Sequence, residues 1–225
     1  MLEKLVYKYS NTPFTPKMKF HQENGEKLEQ VFRFSSAKGY LDEYLNFYKS
    51  VDDFESVIRL SCLGIFEFSY GGKTIRVRHP HQQHYKNFKG EDRGIEVSKL
   101  HDMSTKLLNC SFVLSQTESF EDIFEIVKRE KVHGFGPLAI YDTSVRIGAS
   151  RNIAPTSVYL HAGAQRGMTN LEDKALVSSG VSEKISVPLS DLPDALQPLH
   201  PIQVENFLCL YKDEFKSLEP REIYF

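Results

Sequence analysis

Three groups of residues in this chain have types and spacings suited to chemistry. The first is Val132-His133-Gly134-Phe135-Gly136-Pro137, a Gly-x-Gly turn between two helix-like runs. Glycines there allow positive φ and leave backbone N–H groups open at the start of the next helix, a geometry that suits one phosphate. Gly134 and Gly136 are therefore candidate phosphate contacts, and Pro137 fits a first helical position, where its missing N–H costs nothing. The second group is Asp142, in Tyr141-Asp142-Thr143-Ser144-Val145-Arg146, with His161 and Arg166 in the small-residue stretch that follows Leu160. Asp142 is a candidate catalytic carboxylate, His161 titrates near neutrality, and Arg166 can fork onto a phosphate or carboxylate. Asp142, His161 and Arg166 are expected to line one concave site. Asp142 and Arg146 also stand at i,i+4, the spacing of a helical ion pair.

The third group is the stretch from Gly71 to Lys89. Lys73, Arg76, Arg78, Lys86 and Lys89 supply five cations with no acid before Glu91. Lys73, Arg76, Arg78 and Lys86 are expected on an exposed loop or hairpin that carries most of any polyanion affinity. Gln82 and Gln83 can bond phosphates or bases, and Tyr85 or Phe88 can stack on a base. His79, His81 and His84 raise metal binding, but Pro80 restricts the backbone and neither Cys nor carboxylate lies among them. No metal ligand is assigned on these grounds, and no cofactor is expected. Gly71-Gly72-Lys73-Thr74 lacks the upstream glycine of a phosphate-binding P-loop.

These residues need elements to hold them, and apolar spacing predicts mostly helices. Helical periodicity runs over 36–50, 51–68, 96–110, 119–131, 137–149 and 201–216. Ser119 is a candidate cap with Glu121 and Asp122 in the first turn, where acids favour the helix dipole. Strand signals are confined to Thr74–Arg78 and a short run at Ser157–Leu160, the latter readable as one helical turn. The Pro-rich stretch 186–198 reads as a surface loop and 161–167 as a small-residue loop. The fold class expected is mainly α, a single globular domain over residues 1–225.

The chain has 225 residues with 28 Lys and Arg against 30 Asp and Glu, a net charge of −2. That balance excludes a large field for indiscriminate polyanion binding, so any nucleic-acid site must be a local patch. No segment approaches the about 20 apolar residues of a membrane span, and the N-terminal residues lack a secretory h-region, so a cytoplasmic protein with no membrane partner is expected. Cys62, Cys110 and Cys209 are odd in number and set in apolar sequence, which predicts reduced core thiols.

Residues 119–160 resemble the helix-hairpin-helix DNA glycosylases. Gly134-Phe135-Gly136 matches the hairpin core, giving a helix-hairpin-helix-like segment at 119–149, and Asp142-Thr143 with Arg146 matches the aspartate segment. The resemblance implies a nucleic-acid partner, DNA in that family, and a base-excision reaction. Its aspartate would support positive charge on the sugar or activate the attacking nucleophile. Leu138 or Ala139 stands where bifunctional members carry a lysine, which implies hydrolysis without a Schiff base. In the family the aspartate lies well after the hairpin, whereas Asp142 follows Gly136 by six positions. Two other readings stay open: a non-catalytic nucleic-acid or protein binding module, and an enzyme acting on a phosphorylated nucleoside or sugar.

Overall fold

Gly64 divides what periodicity alone reads as one helix over 51–68. The backbone there turns left-handed, at φ +63°, a conformation that glycine adopts without the Cβ penalty. Beyond it, Ile65-Phe66-Glu67-Phe68 alternates and pairs as a strand. The computed structural model describes residues 1–21, 27–87 and 89–220; Phe88, one of the expected stacking residues, lies outside them.

In chain order the elements are α1 (Leu2–Asn11), β1 (Lys17–His21), β2 (Lys27–Val31), α2 (Ala37–Lys49), α3 (Phe54–Leu63), β3 (Ile65–Tyr70), β4 (Lys73–Arg78), β5 (His84–Lys86) and β6 (Asp92–Gly94). Then follow α4 (Val97–Asn109), α5 (Ser111–Gln116), α6 (Phe120–Arg129), α7 (Pro137–Ser150), β7 (Ser157–Tyr159), α8 (Ala162–Glu172), β8 (Ser186–Pro188) and α9 (Pro201–Tyr211). The chain is mainly α. Its strands form antiparallel pairs, β1 with β2, β3 with β4, β5 with β6 and β7 with β8. Apolar periodicity carries no signal of α1, α5 or the β1–β2 pair. The expected small-residue loop at 161–167 is the first part of α8, and the stretch 186–198 holds β8 and two short 3-10 turns.

The chain expected to be one domain packs as two compact units. One comprises Met1–Phe14, Phe34–Leu41 and the described residues from Pro155 onward; the other comprises the described residues of Thr15–Arg33 and Asp42–Ala154. In the first unit, Val204, Phe207, Leu208 and Tyr211 of α9 pack with Ala164, Met168 and Leu171 of α8. Tyr9 of α1 lays its ring edge-on to Phe207 and donates its hydroxyl to Asn206 Oδ1 at 3.1 Å. The small residues of α8 explain why it is a helix rather than a loop. At Gly167 an added Cβ would lie 2.4 Å from the Leu208 carbonyl oxygen, so the glycine is what lets the two backbones approach.

In the second unit, Asp53 caps α3 by accepting the Ser56 N–H at 2.8 Å. Ser119 caps α6 in the same way, accepting the Asp122 N–H at 3.1 Å, as its sequence signature predicts. Leu100, Met103 and Leu107 of α4, Ile123 and Val127 of α6, and Ile140 and Ile147 of α7 make one apolar cluster with Ile58 and Cys62 of α3. Helix α7 is buried along most of its length, including Tyr141, Thr143, Ser144 and Arg146.

Gly167→Ala tests the close helix approach. In an open helix this change stabilises by about 1 kcal/mol. Here the added methyl meets backbone that cannot swing away, and a net loss of about 1–3 kcal/mol is expected in urea denaturation. A gain in stability would show that α8 and α9 are not held at this spacing.

Candidate functional site

A charged side chain in the middle of a buried helix must find partners for every polar atom, and Arg146 of α7 does so. It is fully buried. Its Nε donates to the Tyr44 hydroxyl of α2. Nη1 donates to the Ser61 carbonyl of α3 at 2.8 Å, and Nη2 to Gln82 Oε1 at 3.0 Å. The guanidinium also sits over the Tyr44 ring, 5.7 Å from its centroid. Gln82 is itself buried, in the 3-10 turn Pro80–Gln82. Room for it comes from Gly64, where a Cβ would meet the Gln82 side chain at 2.8 Å. One guanidinium thus ties together α2, α3, α7 and the turn after β4.

One helical turn before Arg146 stands Asp142, with Oδ2 3.5 Å from Arg146 Nη2. The same oxygen is 2.8 Å from His81 Nδ1 and 3.6 Å from His79 Nδ1. The turn that follows β4 delivers both histidines. Pro80 occupies its first position, and His79 caps it by accepting the His81 backbone N–H at Nδ1, 3.4 Å away. The imidazoles meet edge-to-face with centroids 4.6 Å apart. The cluster opens to solvent: side-chain exposure is 37% at His81, 20% at His79 and 15% at Asp142.

Electrostatics fix the charge states. Burial alone would raise the Asp142 carboxyl, but the His81 hydrogen bond and the charge of Arg146 overcome it and hold the acid well below the usual carboxylate range. For His79, burial dominates and pushes the imidazole down to about 3, with the like charges of His81 and Arg146 adding to the effect, so it is neutral. The Tyr44 hydroxyl is pushed up to about 12 by burial, and the Cys62 thiol likewise to about 12. Arg146 stays charged because Tyr44, Tyr48 and Asp142 outweigh its desolvation.

The candidate residues read from the sequence are distributed as follows. Gly134 adopts φ +86° and Gly136 caps α7 in an extended conformation, with Phe135 buried between them. A Cβ at either glycine would meet nothing within 4 Å, so the hairpin faces open space. Lys73 is exposed and Arg78 half-buried, and neither pairs with an acid among the described residues. Arg76 pairs with Glu67 at 3.1 Å and Lys86 with Asp92 at 3.3 Å. Strand pairing causes both contacts, since Glu67 faces Arg76 in the β3–β4 register and Asp92 faces Lys86 in β5–β6. The run of cations without an acid in sequence therefore has two acids beside it in space.

Gln82, expected to contact a ligand, instead serves Arg146, and Gln83 Nε2 donates to the Arg78 carbonyl at 2.8 Å. Of the expected stacking residues, Tyr85 is exposed on β5. His84 Nε2 lies 3.6 Å from Asp92 and is not part of the Asp142 cluster. His161 and Arg166 belong to the first unit and Asp142 to the second. His161 stands at the N-cap position of α8 without a side-chain cap hydrogen bond, its Nδ1 3.8 Å from Glu205, and Arg166 is exposed on α8. The contacts of Asp142 are instead His79, His81 and Arg146. Comparison with family models, with curated protein sequences and with solved structures finds no match to this chain.

Sequence reasoning missed His79 and His81 as partners of Asp142, and Tyr44 and Gln82 as partners of Arg146. One signal was present: His79-Pro80-His81 places two imidazoles on a rigid turn. The carboxylate that completes the group is 61 residues from His81.

Truncating Arg146 strands three buried acceptors and an ionised carboxylate. Arg146→Ala is expected to lower stability by about 3–5 kcal/mol in urea denaturation. Arg59→Ala breaks the exposed Arg59–Glu55 pair, 3.2 Å apart, and should cost under about 1 kcal/mol. Equal losses would show that the Arg146 network does not hold the unit together.

Proposed function

We propose that this protein binds nucleic acid through a helix-hairpin-helix-like segment, formed by α6, the turn at 130–136 and α7, and hydrolyses an N-glycosidic bond at Asp142. The observation that carries this reading is a carboxylate kept ionised at a solvent-open cluster on the helix that the Gly134–Gly136 hairpin begins. Asp142 lies six residues beyond Gly136, about 9 Å along the helix axis. That span suits a phosphate at the hairpin and a nearby sugar of the same strand at the carboxylate. The open hairpin glycines and the buried Phe135 anchor support the phosphate contact.

Two roles are available to such an aspartate: stabilising a sugar cation, or activating the attacking water. The second fits this site better. Arg146 and two imidazoles surround Asp142 and leave little net negative potential for a sugar cation. A water held at the cluster would pass its proton to His81, whose imidazolium Asp142 would stabilise, as it attacks the anomeric carbon; the base departs with the bonding pair and takes up that proton. Leu138 and Ala139 at the lysine position agree with hydrolysis alone.

The pairing of Arg76 and Lys86 with acids favours a second reading, in which the substrate is small, a phosphorylated nucleoside or sugar. Salt dependence separates the two, because a polyanion footprint releases counterions and a single phosphate releases few.

Release of free base from single- and double-stranded DNA and from nucleoside 5′-monophosphates is the direct assay. Asp142→Asn should lower the rate by about 10²–10⁴-fold while leaving nucleic-acid affinity near wild type. A rate within a few-fold of wild type would remove Asp142 from catalysis, and no base release from any of these substrates would leave only the binding function. Replacing Lys73 and Arg78 together by Ala should weaken DNA binding and flatten its dependence on salt. Unchanged binding would take this hairpin out of the interface.

A further inference from the structure

We propose that His79, His81 and Asp142 form a binding site for a divalent transition-metal ion, which deepens the proposed hydrolytic reading by naming the cofactor of the same cluster. The two imidazole nitrogens and the carboxylate oxygen all lie within 4.8 Å of one another. His81 Nδ1 and His79 Nδ1 stand 2.8 and 3.6 Å from Asp142 Oδ2. Ligand atoms bound at about 2.0–2.2 Å to one tetrahedral ion are separated by about 3.3–3.6 Å, a spacing that both contacts of Asp142 Oδ2 approach.

His79 Nδ1 accepts only a long contact from the His81 backbone N–H, at 3.4 Å, and an ion at this point would take over that lone pair. The ligands are also preorganised. Pro80 rigidifies the turn that carries both histidines, and Arg146 fixes the helical turn that carries Asp142. Fixed first ligands held by a second layer of hydrogen bonds are what a metal site requires.

Two imidazoles and one carboxylate make a donor set for Zn²⁺ or Fe²⁺ rather than Mg²⁺ or Ca²⁺, which take oxygen ligands. Three protein ligands leave positions open, as catalytic sites do and closed structural sites do not. Charge decides what occupies them. A divalent ion with two neutral imidazoles and one carboxylate keeps net positive charge, and Arg146 adds more, so hydroxide or a phosphate oxygen is favoured there. Hydroxide is the nucleophile that the proposed hydrolysis needs. His84, bound to Asp92 on the neighbouring hairpin, is outside this donor set and serves as a control.

The test is titration of the metal-stripped full-length chain with Zn²⁺ by calorimetry and with Co²⁺ by visible absorption. One equivalent of each is expected to bind per chain. His81→Gln and Asp142→Asn should each weaken binding by at least about 100-fold, and His84→Gln should bind as wild type. His81 is partly exposed, so its variant reports on the site even if Asp142→Asn misfolds, and circular dichroism identifies folded variants. Absence of stoichiometric binding, or binding that survives His81→Gln in folded protein, overturns the proposal. If the stripped chain releases base at the full rate and Asp142→Asn does not, the metal proposal fails and the hydrolytic reading stands. If the ion binds as described and no substrate is cleaved, the reverse holds.

Discussion

The organisation of the second unit turns on one buried cation. A guanidinium removed from water costs many kilocalories unless each donor finds an acceptor, so the residues around Arg146 are constrained in position as well as type. Tyr44, the Ser61 carbonyl, Gln82 and Asp142 come from four separate stretches of chain, and all converge on it. Gly64 belongs to the same constraint, since any side chain there would displace Gln82. The turn carrying Gln82 also carries His79 and His81, so the demand for an acceptor on Nη2 brings the histidines to the carboxylate.

That coupling gives Asp142 two properties that seldom coincide. It is mostly buried, yet it is ionised, because the His81 hydrogen bond and the charge of Arg146 outweigh desolvation. It is also reachable from solvent through the more exposed His81. A carboxylate whose Oδ2 already faces two imidazoles and a guanidinium is a weak electrostatic trap for a sugar cation and a good anchor for a water or a metal ion.

The basic hairpins show a different balance. Cations close in sequence suggest a strong patch, but antiparallel pairing places an acid opposite two of them. Such exposed pairs add little to stability. Their effect is on the local field, which is concentrated on Lys73 and Arg78 rather than spread over the whole stretch.

Local patterns in the sequence determined much of the fold. Helical periodicity marks α2, α4, α6, α7 and α9, Ser119 marks the start of α6, and the glycine turn before Pro137 marks the start of α7. The Asp142–Arg146 pair follows from their four-residue spacing alone. What periodicity could not settle was the end of α3, because the apolar run continues past Gly64 and only strand pairing with β4 decides its conformation. Nor could it reveal α8, whose small residues read as a loop until α9 packs against them. The candidate site divides along the same line. Residue types nominated Asp142 and the histidines separately, but a metal or hydrolytic centre is a matter of distance. Only the folding of the turn 79–82 onto α7, drawn there by the unmet hydrogen bonds of Arg146, brings two imidazoles within reach of a carboxylate some sixty residues away.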